Sequence, residues 1–416
     1  MAYIARVVDA ELRERLGASG AVVIEGAKAV GKTETARRSA ASSVFIDVDP
    51  SARQALSVDP SLVLVGEAPR LIDEWQVEPE LWNHVRRAVD ERGDVGQFIL
   101  TGSSVPRDEV SRHTGAGRFS FLRMRPMSLF ETGHTNGSVS LAALLAGVPP
   151  RSPEPGLTVA TIAERIAVGG WPAQQGRRIG DAARAARDYL EQIRHVDLRR
   201  VAGARRDPAK VSRLLRSLAR NVATEAAVAV LSADAGGADG PLDRHTTSAY
   251  LDALERLMIV EDVPAWAPHL RSKATLRASP KRHLVDPSLA VAALGAGPER
   301  LLEDLNLLGL LYESLVIRDL RVLAQPLGGE VFHYRDSYGT EVDAIVQLAD
   351  GRWAAFEIKL GSGMVEAGAA SLRRFLGAID KDKCGEPAAV GVIVGTGFGY
   401  VRDDGVAVIP LGSLAP

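Results

Sequence analysis

Residues 21–33 read AVVIEGAKAVGKT, an apolar run followed by a glycine-bounded stretch that ends in lysine and threonine. The last eight of these residues, Gly26 to Thr33, fit the pattern G-x-x-x-x-G-K-[ST]. Ala21–Ile24 predicts a buried strand, and Thr35–Ala41 predicts the start of a helix. Backbone N–H groups in such a strand–loop–helix turn can surround a phosphate chain at the positive end of the helix. The stretch therefore predicts a nucleotide-binding loop.

Two side chains of this loop have chemistry that suits ATP and Mg²⁺. Lys32 is expected to reach the β- and γ-phosphates, and the Thr33 hydroxyl is expected to hold Mg²⁺. An ordinary glycine-rich turn does not account for Lys32 in a chain with eight lysines among 50 basic residues. The predicted nucleotide-binding residues are Gly26, Ala27, Lys28, Ala29, Val30, Gly31, Lys32, Thr33 and Glu34.

Two further strands are predicted at Val44–Val48 and Arg70–Asp73. An acidic pair ends the second of them, in Leu71-Ile72-Asp73-Glu74. In a neighbouring strand, Asp73 would orient Mg²⁺ through water and Glu74 would polarise the attacking water. An acid-rich helix N-terminus is the alternative interpretation. A further predicted strand, Gln97–Thr101, leads to Ser103, whose hydroxyl is a candidate sensor of the γ-phosphate.

Hydrolysis of ATP also needs a positive charge at the γ-phosphate. We predict that Arg118 supplies it, from the same subunit or from a neighbouring copy in a homo-oligomer. Arg112 and Arg123 are the alternatives.

Composition indicates a soluble multidomain protein. A chain of 416 residues exceeds one ordinary core, and its 46% hydrophobic and 25% charged content is typical of globular proteins. No apolar run is long enough to predict a membrane span. The single cysteine, Cys384, excludes an internal disulfide and fits a reducing cytosol. We therefore expect a cytoplasmic protein with no membrane partner.

Charge is unevenly distributed around a net value of −2. The segment 176–220 has 13 basic and five acidic residues, and Arg271–Arg282 is a second basic stretch without acids. Clustered basic residues can follow a phosphate backbone, so DNA is a candidate partner. A solvated helix face is the alternative interpretation.

Together, these residues resemble the AAA-type ATPase domain of a widespread bacterial and archaeal family whose C-terminal domain has no known function. The resemblance implies a P-loop α/β parallel sheet, ATP and Mg²⁺ as ligands, and ATP hydrolysis. It rests on the order of several short motifs: Leu71–Gln76, Leu100–Ser104, Ala116–Phe119, Arg125–Ser128, Gly169–Pro172, Lys281–Asp286 and Tyr312–Glu313.

The middle of the chain resembles a winged helix. Val211–Val222 predicts one amphipathic helix, and Thr246-Thr247-Ser248 is expected to cap a second over Ala249–Leu257. A strand is predicted at Met258–Val263. The exposed side of the second helix has two acids, Asp252 and Glu255, which oppose insertion into a DNA groove. A structural connector is the alternative.

The C-terminal part resembles the core of PD-(D/E)XK nucleases. Val331–Arg335, Glu341–Val346 and Trp353–Lys359 predict a three-stranded meander. The resemblance places Asp343, Glu357 and Lys359 on the nuclease motif, and Glu313 on an extra acid that some members carry. Such residues can bind a divalent metal and position water. Structural salt bridges, or a domain that only binds its partner, are the alternatives.

The sequence thus predicts four parts: an ATPase core at 1–135, a helical lid and connector at 136–205, a winged-helix-like domain at 206–275 and a nuclease-like domain at 276–416. The main hypothesis is Mg²⁺-dependent ATP hydrolysis coupled to binding of a nucleic acid or another partner. An ATP-regulated nuclease and a non-enzymatic nucleotide switch are the alternatives.

Overall fold

The computed structural model describes residues 3–103, 114–197, 207–237, 240–269 and 279–416. Several residues that the sequence singles out, including Ser104, Arg112 and Arg271, lie outside these ranges. Among the helices of the described residues, none has the length and apolar character needed to cross a membrane.

A five-stranded parallel sheet forms the N-terminal part, in the order β2-β3-β4-β1-β5. Its strands are β1 (Ala21–Glu25), β2 (Ser42–Phe45), β3 (Arg70–Asp73), β4 (Phe98–Gly102) and β5 (Phe119–Arg123). Its helices are α1 (Val8–Leu16), α2 (Lys32–Ser39), α3 (Pro50–Val58) and α4 (Leu81–Arg92). Four of these strands match predicted ones. Strand β2 ends earlier than the predicted Val44–Val48, and β5 was not predicted.

Both faces of this sheet are buried, as the βαβ connections require. Val22 and Ile24 point to the face covered by α1, whereas Ala21 and Val23 point to the face covered by α4. Because parallel strands end at the same edge, the loop after β1 lies beside the ends of β3 and β4.

Short helices dominate the middle of the chain. They are α5 (Leu141–Leu145), α6 (Val159–Val168), α7 (Ile179–Gln192), α8 (Pro208–Arg220), α9 (Val228–Asp234), α10 (Arg244–Arg256), α11 (Pro287–Leu294) and α12 (Pro298–Glu303). Helix α10 begins earlier than the predicted Ala249, because the cap is Asp243 rather than Thr246–Ser248: the Asp243 side chain accepts from the Thr246 N–H. The predicted strand at 258–263 was wrong. This segment makes only isolated bridges among the described residues, Val260 to Leu284 and Val263 to Lys281.

A six-stranded mixed sheet forms most of the C-terminal part, in the order β11-β12-β10-β9-β8-β7. Its strands are β7 (Gly329–Arg335), β8 (Glu341–Leu348), β9 (Trp353–Lys359), β10 (Ala389–Val394), β11 (Tyr400–Val401) and β12 (Ala407–Pro410). Its helices are α13 (Leu305–Ala324), α14 (Val365–Ala378) and α15 (Lys381–Cys384). Strands β7 to β9 are antiparallel, and α14 carries the chain to β10, which is parallel to β9. The predicted meander is therefore present.

The N-terminal, middle and C-terminal parts of the chain pack against one another. Strand β6 (Val139–Ser140) lies in the predicted lid and connector, and it pairs with β13 (Leu414–Ala415) from the C-terminal part. One apolar cluster extends from Ile24 in the first sheet to Phe356 in the second. The helices between them share this core.

Candidate functional site

The predicted nucleotide-binding loop, residues 26–34, surrounds the side chain of Lys32. Helix α2 begins at Lys32, directly after Gly31, whose φ of 100° suits glycine. The Lys32 ammonium donates to the carbonyl oxygens of Gly26 and Ala27, at 2.9 Å each. A side chain at Gly26 would overlap the carbonyl oxygen of Met124, so the loop lies directly against the chain that follows β5.

Burial changes the acidity of this lysine. Lys32 is 6% exposed, and burial lowers its pKa to about 8, although the carboxylates of Glu74 and Asp73 oppose the shift. A buried cation with only carbonyl partners favours the arrival of an anion. The loop is therefore suited to phosphate.

Asp73 lies at the end of β3, next to the loop. Its Oδ1 accepts from the Thr33 hydroxyl at 2.9 Å and from the Thr101 hydroxyl at the end of β4. Strands β3 and β4 and the first turn of α2 therefore bring these groups to one point.

One carboxylate and one hydroxyl are the protein groups that a nucleotide-bound Mg²⁺ needs, because phosphate oxygens and waters supply the other ligands. Thr33 and Asp73 therefore fit the predicted Mg²⁺. Within the described ranges, no group of three or more His, Cys, Asp or Glu side chains is arranged to hold a metal.

Glu74 has a backbone that few residues adopt. Its φ is 55°, in the left-handed region, which costs roughly 1–3 kcal/mol for a residue other than glycine. Its carboxylate accepts from the Gln76 side-chain amide, and burial raises its pKa. A strained backbone persists only where neighbouring groups hold it in place. Here the strained backbone of Glu74 and its contact with Gln76 hold the Glu74 carboxylate next to Asp73 in the sequence.

The other two predicted catalytic residues, Ser103 and Arg118, lie at opposite edges of the sheet. Ser103 is buried one residue beyond β4, at the edge where the loop lies. Arg118 lies at the opposite edge, where its carbonyl accepts from the Ala21 N–H and its guanidinium pairs with Asp90 at 2.7 Å. A five-residue strand spans roughly 15 Å, so Arg118 is remote from the loop of its own subunit.

Arg123, the alternative, is level with the end of β1 in the sheet register. Its charge contributes to lowering the pKa of Lys32, and its Nε has an ion-pair partner in Glu261, at 3.8 Å, but no hydrogen-bond partner. Of the arginines described near the sheet, Arg123 is thus better placed to meet a nucleotide in the same subunit.

A cavity of about 240 Å³ adjoins the loop and was not foreseen from the sequence. Its largely apolar wall is built from distant parts of the chain: Tyr3, Ile4, Arg6, Gly31, Glu34, Thr35, Met127, Pro172 and Ala173. The motif Gly169–Pro172 could have indicated this cavity, because Pro172 lines it. The spacing of residues in the sequence does not show, however, that this motif lies beside the loop.

A second cluster of charged groups lies where α13 meets the C-terminal sheet. The structure brings together Glu313, Asp343, Glu357 and Lys359, and adds Lys281, which the sequence analysis placed in a basic stretch and not in this site. The Lys281 ammonium lies 2.7 Å from Glu313 Oε1 and 3.2 Å from Asp343 Oδ1. The Lys359 ammonium lies 3.0 Å from Asp343 Oδ2 and also contacts Glu357.

Burial and the neighbouring charges change the pKa values of the three carboxylates in this cluster. Burial raises the pKa of Glu313 to about 8 and that of Glu357 to about 7, with the Asp343 charge adding to both shifts. Burial would also raise the pKa of Asp343, but Lys281 and Lys359 together lower it. Asp343 is therefore the anion that both lysines share.

The second predicted basic stretch is not a free surface where the structure describes it. Lys281 is buried in the cluster just described, and Arg282 is buried and pairs with Asp262. Neither side chain is available to a phosphate backbone.

Residues 18–133 match the AAA domain family. With the geometry of the loop, this match supports an AAA-type P-loop ATPase. Two further stretches match domains of unknown function, 159–300 with DUF8612 and 308–414 with DUF4143. Among solved structures, a Walker-type ATPase of Pyrococcus abyssi is similar at 14% identity and a TM-score of 0.40, over 68% of this chain and 94% of that chain. A search of the curated proteins found no match.

Proposed function

We propose that this protein binds ATP with Mg²⁺ in the loop 26–34 and hydrolyses it. The observation that carries the proposal is the convergence of Lys32, Thr33 and Asp73 at one edge of a parallel sheet. Lys32 exchanges two carbonyl partners for phosphate oxygens, which neutralise its buried charge. When bound, Mg²⁺ offsets charge on the phosphates.

The remaining groups have separate roles in the proposal. Glu74, fixed by its backbone and by Gln76, accepts a proton from the attacking water or orients it. The apolar cavity beside Gly31 accommodates the nucleoside end of ATP. Ser103 or Thr101 contacts the γ-phosphate, and Arg123 offsets charge that develops there.

A turnover assay tests the proposal directly. Lys32→Ala should abolish hydrolysis, because no other cation in the loop has the same reach. Glu74→Gln should lower the turnover number by about 10²-fold or more while ATP still binds, because only the group that handles the water has changed. Phosphate release with saturating MgATP is the measurement.

Matched substitutions elsewhere provide the controls. Lys383→Ala and Glu91→Gln make the same chemical changes away from the loop, and both should retain full turnover. Glu91 is exposed near the end of α4, next to Asp90, which pairs with Arg118 at the opposite edge of the sheet. Equal turnover in Lys32→Ala and in the original chain would refute the assignment.

We further propose that the nucleotide state is coupled to binding of a partner by the middle and C-terminal parts. The Arg125 guanidinium, just beyond β5, contacts both oxygens of Glu261 after α10 and donates to Gln325 beyond α13. A displacement of β5 on ATP binding would therefore move Glu261 and Gln325 as well.

DNA is the partner that the basic excess in 176–220 favours. A mobility-shift assay over a range of salt concentrations tests it, because phosphate contacts weaken steeply as salt rises. For an oligomer, we propose that Arg118 of a neighbouring copy supplies a further positive charge at the γ-phosphate. The measurement is ATPase activity when an Arg118→Ala chain is mixed with a Lys32→Ala chain, where neither alone is active.

A further inference from the structure

The acidic cluster at α13, β8 and β9 contains a cation that belongs to the chain. The sheet register pairs Ala344 with Phe356, which places Asp343 level with Glu357. Glu313 reaches the same point from α13. In an active metal-dependent nuclease, acids placed in this way would hold a divalent cation. Lys281 instead lies between Glu313 and Asp343, in contact with both.

The oxygens of Asp343 are already engaged. Its Oδ1 accepts from Lys281, and its Oδ2 accepts from the Ile358 N–H at 2.9 Å and from Lys359 at 3.0 Å. A divalent cation needs these oxygens at about 2.0–2.6 Å. An ammonium group 3.2 Å from Oδ1 and a metal bridging the same acids would require the same space.

Lys281 is held in place by its backbone as well as by its charge. Its N–H donates to the Val263 carbonyl at 3.0 Å, and its carbonyl accepts from the Val263 N–H at 2.9 Å. Its side chain is 7% exposed. Removal of this lysine from the cluster would break its ion pair with the buried Glu313 carboxylate and would leave Asp343 with one lysine instead of two, which is costly.

We propose that Lys281 takes the place of a divalent cation in this cluster, so that the C-terminal domain binds no metal there and does not cleave a phosphodiester by a metal-dependent route. The ion pairs then join the segment at Val263, helix α13 and the sheet. This inference is independent of ATP binding in the first domain.

Mn²⁺ titration tests the proposal. The free ion is followed by electron paramagnetic resonance in nucleotide-free protein, for the original chain, Asp343→Asn, Lys281→Met and the double variant. The original chain and Asp343→Asn should bind Mn²⁺ equally. Lys281→Met should gain about one bound Mn²⁺ per chain, because the freed carboxylates are hard oxygen ligands. The double variant should lose that gain.

Two results would overturn the proposal. One is Mn²⁺ binding by the original chain that Asp343→Asn removes. The other is a folded Lys281→Met chain, with native ATP binding, that gains no Mn²⁺.

A stability measurement covers the case in which Lys281→Met does not fold. With EDTA present, Asp343→Asn should lower the melting temperature, because the buried Lys281 ammonium and the half-buried Lys359 ammonium lose their shared anion. A vacant metal site would behave in the opposite way, since removal of one of several crowded acids relieves their repulsion. A higher melting temperature in Asp343→Asn would therefore contradict the proposal.

Discussion

Lys32 is both buried and required to be charged when phosphate arrives. Its pKa is lowered to about 8 in the nucleotide-free protein, mainly by burial. Phosphate oxygens favour the charged form, so binding of ATP raises this pKa and takes up a proton wherever the free lysine is partly neutral. The affinity for ATP should therefore fall as the pH rises through 8.

Calorimetry in two buffers of different ionisation enthalpy measures this effect. With a pKa of about 8, we expect an uptake of only about 0.1 proton per ATP at pH 7 and of about 0.9 at pH 9. Lys32→Arg supplies the control, because a guanidinium remains charged over this range and should show no uptake. Proton uptake that is the same in both proteins would show that another group titrates.

Residues with a local signature were predictable, whereas residues defined by distant contacts were not. Lys32 and Thr33 are recognisable because the loop needs both at fixed spacing. Lys281 carries no such mark, since its partners Glu313 and Asp343 lie 32 and 62 positions away. Arg118 was singled out by its neighbours in sequence, but the direction of β5 places it at the edge opposite the loop.

At the scale of elements, the approach of the loop to the chain after β5 depends on Gly26. A methyl group there would overlap the backbone carbonyl of Met124, which cannot move as a side chain could. Gly26→Ala should therefore destabilise the first domain by more than about 1 kcal/mol and weaken ATP binding.

Gly309→Ala is the matched substitution. Position 309 lies within α13, and a methyl group there would meet nothing within 4 Å. Removal of a helical glycine should raise stability by about 0.5–1 kcal/mol. Urea unfolding measures both variants. A Gly26→Ala protein as stable as the original would show that the loop does not depend on this close approach.

Strand existence was easier to predict than strand edges or helix starts. Strands β3 and β9 are apolar runs that end at marked polar residues, and both match their predicted bounds. Strand β5 was missed because serine and arginine interrupt its apolar residues at the edge of the sheet. Tertiary packing, rather than local propensity, decides such an edge strand.

Across the whole molecule, Glu261 connects the ATPase domain with both later parts. Burial would raise its pKa, but Arg125, Arg321 and Arg123 together hold it well below the ordinary value of 4.5. A lowered pKa in the folded state adds stability at pH values above 4.5, and that stability is lost as the pH falls through the folded value.

Glu261→Gln should therefore destabilise the protein at pH 7 by about 3–5 kcal/mol, because it leaves buried arginines without their anion. The difference from the original chain should shrink at pH 4 and below. Urea unfolding at the two pH values is the measurement, with Glu330→Gln, an exposed glutamate, as control. A difference that grows on acidification would refute this role of Glu261.

Every step proposed for the first domain depends on binding of the ATP phosphates by the buried ammonium of Lys32. Calorimetric titration with MgATP tests it most directly, using the original chain, Lys32→Ala and the matched Lys383→Ala. We predict one ATP per chain for the original protein and for Lys383→Ala, and no measurable binding for Lys32→Ala. The account would be contradicted by equal affinity in all three proteins, or by no binding to the original chain.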